Sequence, residues 1–190
     1  QAAVRYLLTL MVGTLPAVVI GLALKDTIEA VFHNPLFAAG GLFVTAAILF
    51  STRFSQRAVQ DLPDPWEPRA LPLKTAVFIG CSQAFAILPG ISRSGSTIAT
   101  SLWLRVPRAE AARFSFLLSI PAIGGALVLQ LSDGPVADAN WLHLGLSALV
   151  AFAVGLLALR WTALAVVQAH FWKFSGYCVV VGGIAFLALR

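Results

Sequence analysis

Pro89-Gly90-Ile91-Ser92-Arg93-Ser94-Gly95-Ser96-Thr97 lies between two apolar segments, residues 75–88 and 98–104. It sets one arginine, four hydroxyls and two glycines where such flanks alone would run into a membrane. A permanent cation among hydrogen-bonding groups is costly in that setting and marks a site by default. The guanidinium carries its N–H donors in a planar fork that fits phosphate oxygens. The stretch therefore reads as a membrane-embedded site for a phosphorylated ligand. Residues 75–88 are too few to cross a bilayer comfortably, and they end at Pro89-Gly90. Two short helices around a glycine-bearing polar turn predict a re-entrant hairpin over residues 75–104, entering and leaving on one side.

The surrounding chain has the composition of a membrane protein. Of its 190 residues 59% are hydrophobic and 11% charged, with a mean hydropathy of +0.88; a soluble domain carries about 25% charged residues. The apolar runs are continuous rather than alternating, which predicts helices and not a barrel. The expected fold is all-α and polytopic, with about five transmembrane helices plus the hairpin. Spans are expected over residues 6–24, 36–50, 114–131, 141–159 and 174–189. Pro16 would kink the first, Gly40 and Gly41 give the second a thin face, and Pro121, Gly124 and Gly125 interrupt the third. Lys25, Asp26 and Glu29 predict a short polar turn, and residues 53–72, with four prolines, a surface loop. Trp141 and Trp161 are expected interface anchors.

The net charge of +5 does not point to nucleic acid, because the basic residues cluster at the ends of apolar runs. Their bias places the 53–74 loop, the cluster of Arg105, Arg108 and Arg113, and the 160–173 turn in the cytoplasm. The 25–34 and 132–140 loops then face outward, with Gln1 inside and Arg190 outside. Cys81 and Cys178 read as small buried hydrophobes rather than a disulfide or metal pair. Gln1 is no initiator Met and stands a turn before an apolar run, so the chain is expected to be part of a longer protein.

Arg93 is the leading site residue, with Ser92, Ser94 and Thr97 as donors to phosphate oxygens. Gly90 and Gly95 would let backbone N–H groups face an anion, and the following helix adds its positive end. Ser96 and Thr97 also suit a kinked helix whose hydroxyls bond back to their own carbonyls, a reading that leaves Arg93 unexplained. Gln83 suits a ligand contact or a helix–helix hydrogen bond equally well. Glu110 is expected to pair with Arg113 or Arg108 at the interface. His33, His143 and His170 fall near span ends, and no His, Asp or Glu pair has metal-ligand spacing. A lipid-phosphate transporter, carrying its substrate across without hydrolysis, would use the same features. The membrane phosphatases that place a His six residues after the Arg are excluded, because Ala99 stands there.

The stretch around Arg93 resembles the Pro-Gly-x-Ser-Arg-Ser-x-x-Thr motif of the bacterial undecaprenyl-diphosphate phosphatases of the bacitracin-resistance type. Ala111-Ala112-Arg113-Phe114-Ser115-Phe116-Leu117-Leu118-Ser119-Ile120-Pro121, Gly13-Thr14-Leu15-Pro16-Ala17 and Asp26-Thr27-Ile28-Glu29 are similar to that family too. The resemblance implies hydrolysis of undecaprenyl diphosphate to undecaprenyl phosphate and inorganic phosphate, recycling a cell-wall lipid carrier. It implies two inverted repeats, each a re-entrant hairpin plus three spans. Residues 1–52 would hold the last two spans of the first repeat, 53–74 a cytoplasmic loop, and 75–190 the second repeat. The family's other motif, a Glu-rich stretch followed by Ser-Ser-Thr-Gly-His, does not occur in these residues. The ligands of a divalent metal, Mg²⁺ or Ca²⁺, and a catalytic histidine are expected there, so these 190 residues alone are expected to be inactive. Carried over, Arg93, Ser92 and Ser94 are the catalytic candidates. Thr97, Gly90, Gly95, Ser96 and Gln83 are the substrate-binding candidates, and none is a metal ligand. Expected partners are a polyprenyl diphosphate and membrane lipids, with a homodimer left open. The expected location is the bacterial plasma membrane, with the site toward its outer face.

Overall fold

The computed structural model describes residues 2–55, 70–132 and 141–189. Among the described residues there are eight α-helices and no strand. In order they are α1 (Ala2–Ala23), α2 (Lys25–Phe32), α3 (Pro35–Ser55), α4 (Leu73–Phe85), α5 (Arg93–Trp103), α6 (Arg108–Ser132), α7 (Trp141–Val167) and α8 (Phe174–Ala188). A 3-10 turn, Phe171–Lys173, leads into α8. Five of them (α1, α3, α6, α7 and α8) are long and apolar enough to cross a membrane, and the protein is an all-α polytopic membrane protein. At about 1.5 Å per residue, α4 and α5 each rise no more than about 20 Å, well short of a hydrocarbon core of about 30 Å. Residues 56–69 of the expected surface loop, 133–140 of the expected outward loop, Gln1 and Arg190 lie outside the described residues.

Several local expectations are corrected. α6 runs unbroken through Pro121, Gly124 and Gly125 instead of breaking there. Backbone groups with no water to bond keep their helix, which holds across such residues in apolar surroundings. The polar turn after α1 is the helix α2, with Lys25 and Glu29 one turn apart at 3.9 Å. Asn34 then starts α3: its Oδ1 accepts the N–H groups of Leu36 at 3.1 Å and Phe37 at 3.3 Å, with Pro35 as first helical residue. α7 runs on to Val167, past the expected end at residue 159, because residues 160–167 contain no helix breaker. It stops at Ala169, which takes φ 59°, while the His170 N–H donates to the Ala165 carbonyl at 2.8 Å. α5 closes in the same way on Arg105, at φ 60°.

α4 and α5 pack against each other and sit among α1, α3 and α6; α3 also packs along α8, and α7 touches mainly α6. The core gathers Ile79 of α4, Ile98 and Leu102 of α5, and Phe114 and Leu118 of α6, all fully buried. Of the glycine pair in α3, only Gly41 makes a close approach: a Cβ there would collide with the Pro89 carbonyl, whereas Gly40 faces open space. Arg53 stacks over the Trp172 ring at 5.0 Å, tying the end of α3 to the turn before α8. Cys178 is buried as expected, but Cys81 is exposed on the outer side of α4, and neither forms a disulfide.

Candidate active site

The site begins with how α5 starts. Ser92 is its N-cap, and its Oγ accepts the Gly95 N–H at 3.1 Å. The Ser92 N–H donates to Thr45 Oγ1 at 2.9 Å. Of the donors that a helix start leaves without intrahelical partners, these two are satisfied. The next two, on Arg93 and Ser94, meet no acceptor among the described residues. Arg93 and Ser94 are also the residues of α5 that line a cavity of about 390 Å³. Ser115 and Ser119 of α6 and Thr162 of α7 add hydroxyls to its wall, and Ala158 a small apolar surface. The half-buried Arg93 and its neighbour Ser94, both with backbone N–H groups left over at the positive end of α5, thus border one space. Among the described residues the Arg93 side chain has no ion pair or hydrogen bond, and no carboxylate lines the cavity. A cation with no carboxylate beside it is a setting that suits an anion.

The other sequence candidates fall in different places. Ser92 and Gly95 line a smaller cavity of about 170 Å³ on the α8 side, which shares Ser94 and Thr162 with the first. Ser96 Oγ donates to the Ser92 carbonyl at 2.9 Å. Thr97 Oγ1 donates to the Arg93 carbonyl at 3.0 Å and shares a hydrogen bond with Ser115 Oγ. Both hydroxyls are buried beneath the helix start and line neither cavity. Gly90 forms the turn at φ +84°, where a Cβ would run into the Ala38 carbonyl. Gln83 is 1% exposed and lines neither cavity, and both polar atoms of its amide lack a partner among the described residues. Glu110 is buried rather than interfacial: it accepts from Arg113 at 3.0 Å and from the Tyr6 hydroxyl at 2.7 Å. The three histidines are exposed and line neither cavity.

Thr45, Ser115, Ser119 and Thr162 escape a reading of the sequence. Ser115 and Ser119, four apart on α6, carry a weak signal of a shared face. Thr45 and Thr162 sit inside apolar spans, where a hydroxyl normally bonds back to its own helix, and carry none. Among the described residues no three His, Cys, Asp or Glu side chains gather as a metal site. The cavity offers a cation and neutral hydroxyls, a donor set that fits an anion and does not fit a divalent ion, which takes carboxylate and carbonyl oxygens.

The family described as bacitracin resistance protein BacA matches residues 1–184. A protein of Desulforapulum autotrophicum named undecaprenyl-diphosphatase is 41% identical over 186 residues, covering 97% of this chain and 65% of that protein. Proteins of the same name from Desulfatibacillum aliphaticivorans and Korarchaeum cryptofilum are 39% and 38% identical, covering 97% and 96% of this chain and again 65% of each relative. The chain thus spans about two thirds of the length of the curated relatives it matches. It belongs to the bacitracin resistance protein BacA family.

Proposed function

We propose that the chain supplies the Arg93 site of a phosphatase that hydrolyses undecaprenyl diphosphate to undecaprenyl phosphate and inorganic phosphate. The observation that carries the reading is that Arg93 and Ser94, at the N-terminal end of α5 and with leftover N–H groups, line one cavity that holds no carboxylate. The name shared by relatives at 38–41% identity supports the substrate. In this reading Arg93 clamps the diphosphate while the anhydride P–O bond breaks and the oxygen of water adds to the terminal phosphorus. The guanidinium and the two N–H groups offset charge that grows on the phosphoryl oxygens. Ser94 offers a hydroxyl exposed to the cavity; Ser92 caps Gly95 through its oxygen and keeps its hydrogen to donate. The divalent metal, Mg²⁺ or Ca²⁺, takes its ligands elsewhere, since this cavity offers it none.

The proposal extends to placement. α4 and α5 are a re-entrant hairpin of one inverted repeat, in the plasma membrane, with the site toward the outer face. Their length supports this, as does a shared base: Ser55 Oγ at the end of α3 bonds the Leu102 carbonyl near the end of α5 at 2.5 Å. The test is phosphate release from undecaprenyl diphosphate by the full-length protein in detergent, with and without added Mg²⁺ or Ca²⁺. Arg93→Ala is expected to lower kcat/KM at least about a hundredfold. Arg93→Lys, which keeps the charge and loses the fork, should lower it about tenfold. Undiminished release by Arg93→Ala rejects the reading.

A further inference from the structure

We propose that Thr45 of α3 is a positioning residue that sets where α5 begins, and with it the aim of the Arg93 site. The proposal rests on the reading of that site as phosphate-binding.

The single hydroxyl of Thr45 grips the hairpin turn twice. It donates to the Gly90 carbonyl at 2.8 Å and accepts the Ser92 N–H at 2.9 Å, across 45 and 47 residues of sequence. Other buried threonines in the spans behave differently. Thr9, Thr14 and Thr52 each donate to a carbonyl of their own helix, at 2.7, 2.8 and 2.7 Å. Only 3% of Thr45 is exposed.

The seat around it leaves no slack. Ala38, Gly41 and Thr45 lie on one face of α3, one turn apart. A Cβ on Gly41 would strike the Pro89 carbonyl, and one on Gly90 would strike that of Ala38. The turn therefore lies flush against the α3 backbone, and Thr45 supplies the polar register mark on that contact. Ser92 carries the consequence forward, because its position sets the N-cap and hence the direction of the N–H groups on Arg93 and Ser94. Thr45 lines the smaller cavity beside Ser92 and not the Arg93 cavity, so its effect on the Arg93 site passes through Ser92.

Thr45→Val keeps the shape and removes both bonds, leaving the Gly90 carbonyl and the Ser92 N–H unpaired. Displacements of about 1 Å cost on the order of a hundredfold in rate where positioning carries catalysis. In the full-length protein, Thr45→Val is expected to lower kcat for phosphate release between about tenfold and a hundredfold, with KM changed less than about threefold. Thr45→Ser keeps the hydroxyl and should stay within about threefold of the parent. Amide exchange of the peptide covering residues 89–97 should quicken in Thr45→Val and not in Thr45→Ser. Unchanged exchange in Thr45→Val overturns the proposal, and so does a Thr45→Ser variant that falls as far as Thr45→Val. Arg93→Ala run alongside separates the two readings: retained release there rejects the phosphate site, while exchange still judges the grip of Thr45 on the turn.

Discussion

α5 and α7 invert the rule of soluble proteins. α5 has 11 residues rich in hydroxyls, and Gly95, Ser96, Thr97, Ile98, Ala99, Ser101 and Leu102 are buried. α7 has 27 residues, is strongly apolar, and buries Val166 alone. Hydrocarbon is as apolar as a leucine side chain, so nothing drives α7 inward. The polar helix goes inside because its turn, its cap and its hydroxyls need protein partners that lipid cannot give. In this molecule apolarity reports the solvent, and hydroxyl bonding reports where the protein packs.

The contrast is most exposed to test at the hairpin turn. Gly90→Ala puts a Cβ at φ +84° and into the Ala38 carbonyl. The left-handed conformation and the overlap together should cost about 4 kcal/mol, enough to abolish folded protein or phosphate release. Gly40→Ala, two positions from Ala38 on α3, meets nothing within 4 Å and should leave both unchanged. If Gly90→Ala is tolerated as well as Gly40→Ala, the turn is not seated on α3 and the packed side of the comparison fails.

A second test lies at the base of the same packed region. Glu110 joins the starts of α1 and α6 through Tyr6 and Arg113. Glu110→Ala removes a buried carboxylate and strips the Tyr6 hydroxyl of its acceptor. The expected loss is about 3 kcal/mol, the low end for breaking a buried pair, because the Arg113 side chain is 21% exposed. Thermal unfolding in detergent measures it. A loss no larger than that of Tyr6→Phe would assign the stability to the hydrogen bond and not to the charge.

Much of this architecture can be read from residue types. Continuous apolar runs mark five spans, because length and hydropathy are what a bilayer demands of a helix. Arg93 stands out because an isolated cation between apolar segments has no bland explanation. The rotation of each helix about its own axis is not readable in that way. It turns Ser96 and Thr97 into the bundle and brings Ser115, Ser119 and Thr162 to the cavity. The same limit hides Thr45, whose role depends on a turn 45 residues away. It also hides Tyr6 as a partner of Glu110, at a separation of 104 residues.

The smallest expected effect tests the other half of the comparison within a single helix. Val150 and Val166 both belong to α7, one 61% exposed and the other fully buried. Val166→Ala removes the same two methyl groups as Val150→Ala, but from a packed site that cannot refill them, and should cost about 2 kcal/mol. Val150→Ala leaves lipid where lipid already was and slightly improves helix propensity, so its effect should stay within about 0.5 kcal/mol. Unfolding of the two variants in the same detergent gives the difference directly. A Val150→Ala loss equal to that of Val166→Ala would mean that protein covers this face of α7 in the full-length molecule, and its apolarity would then report packing after all.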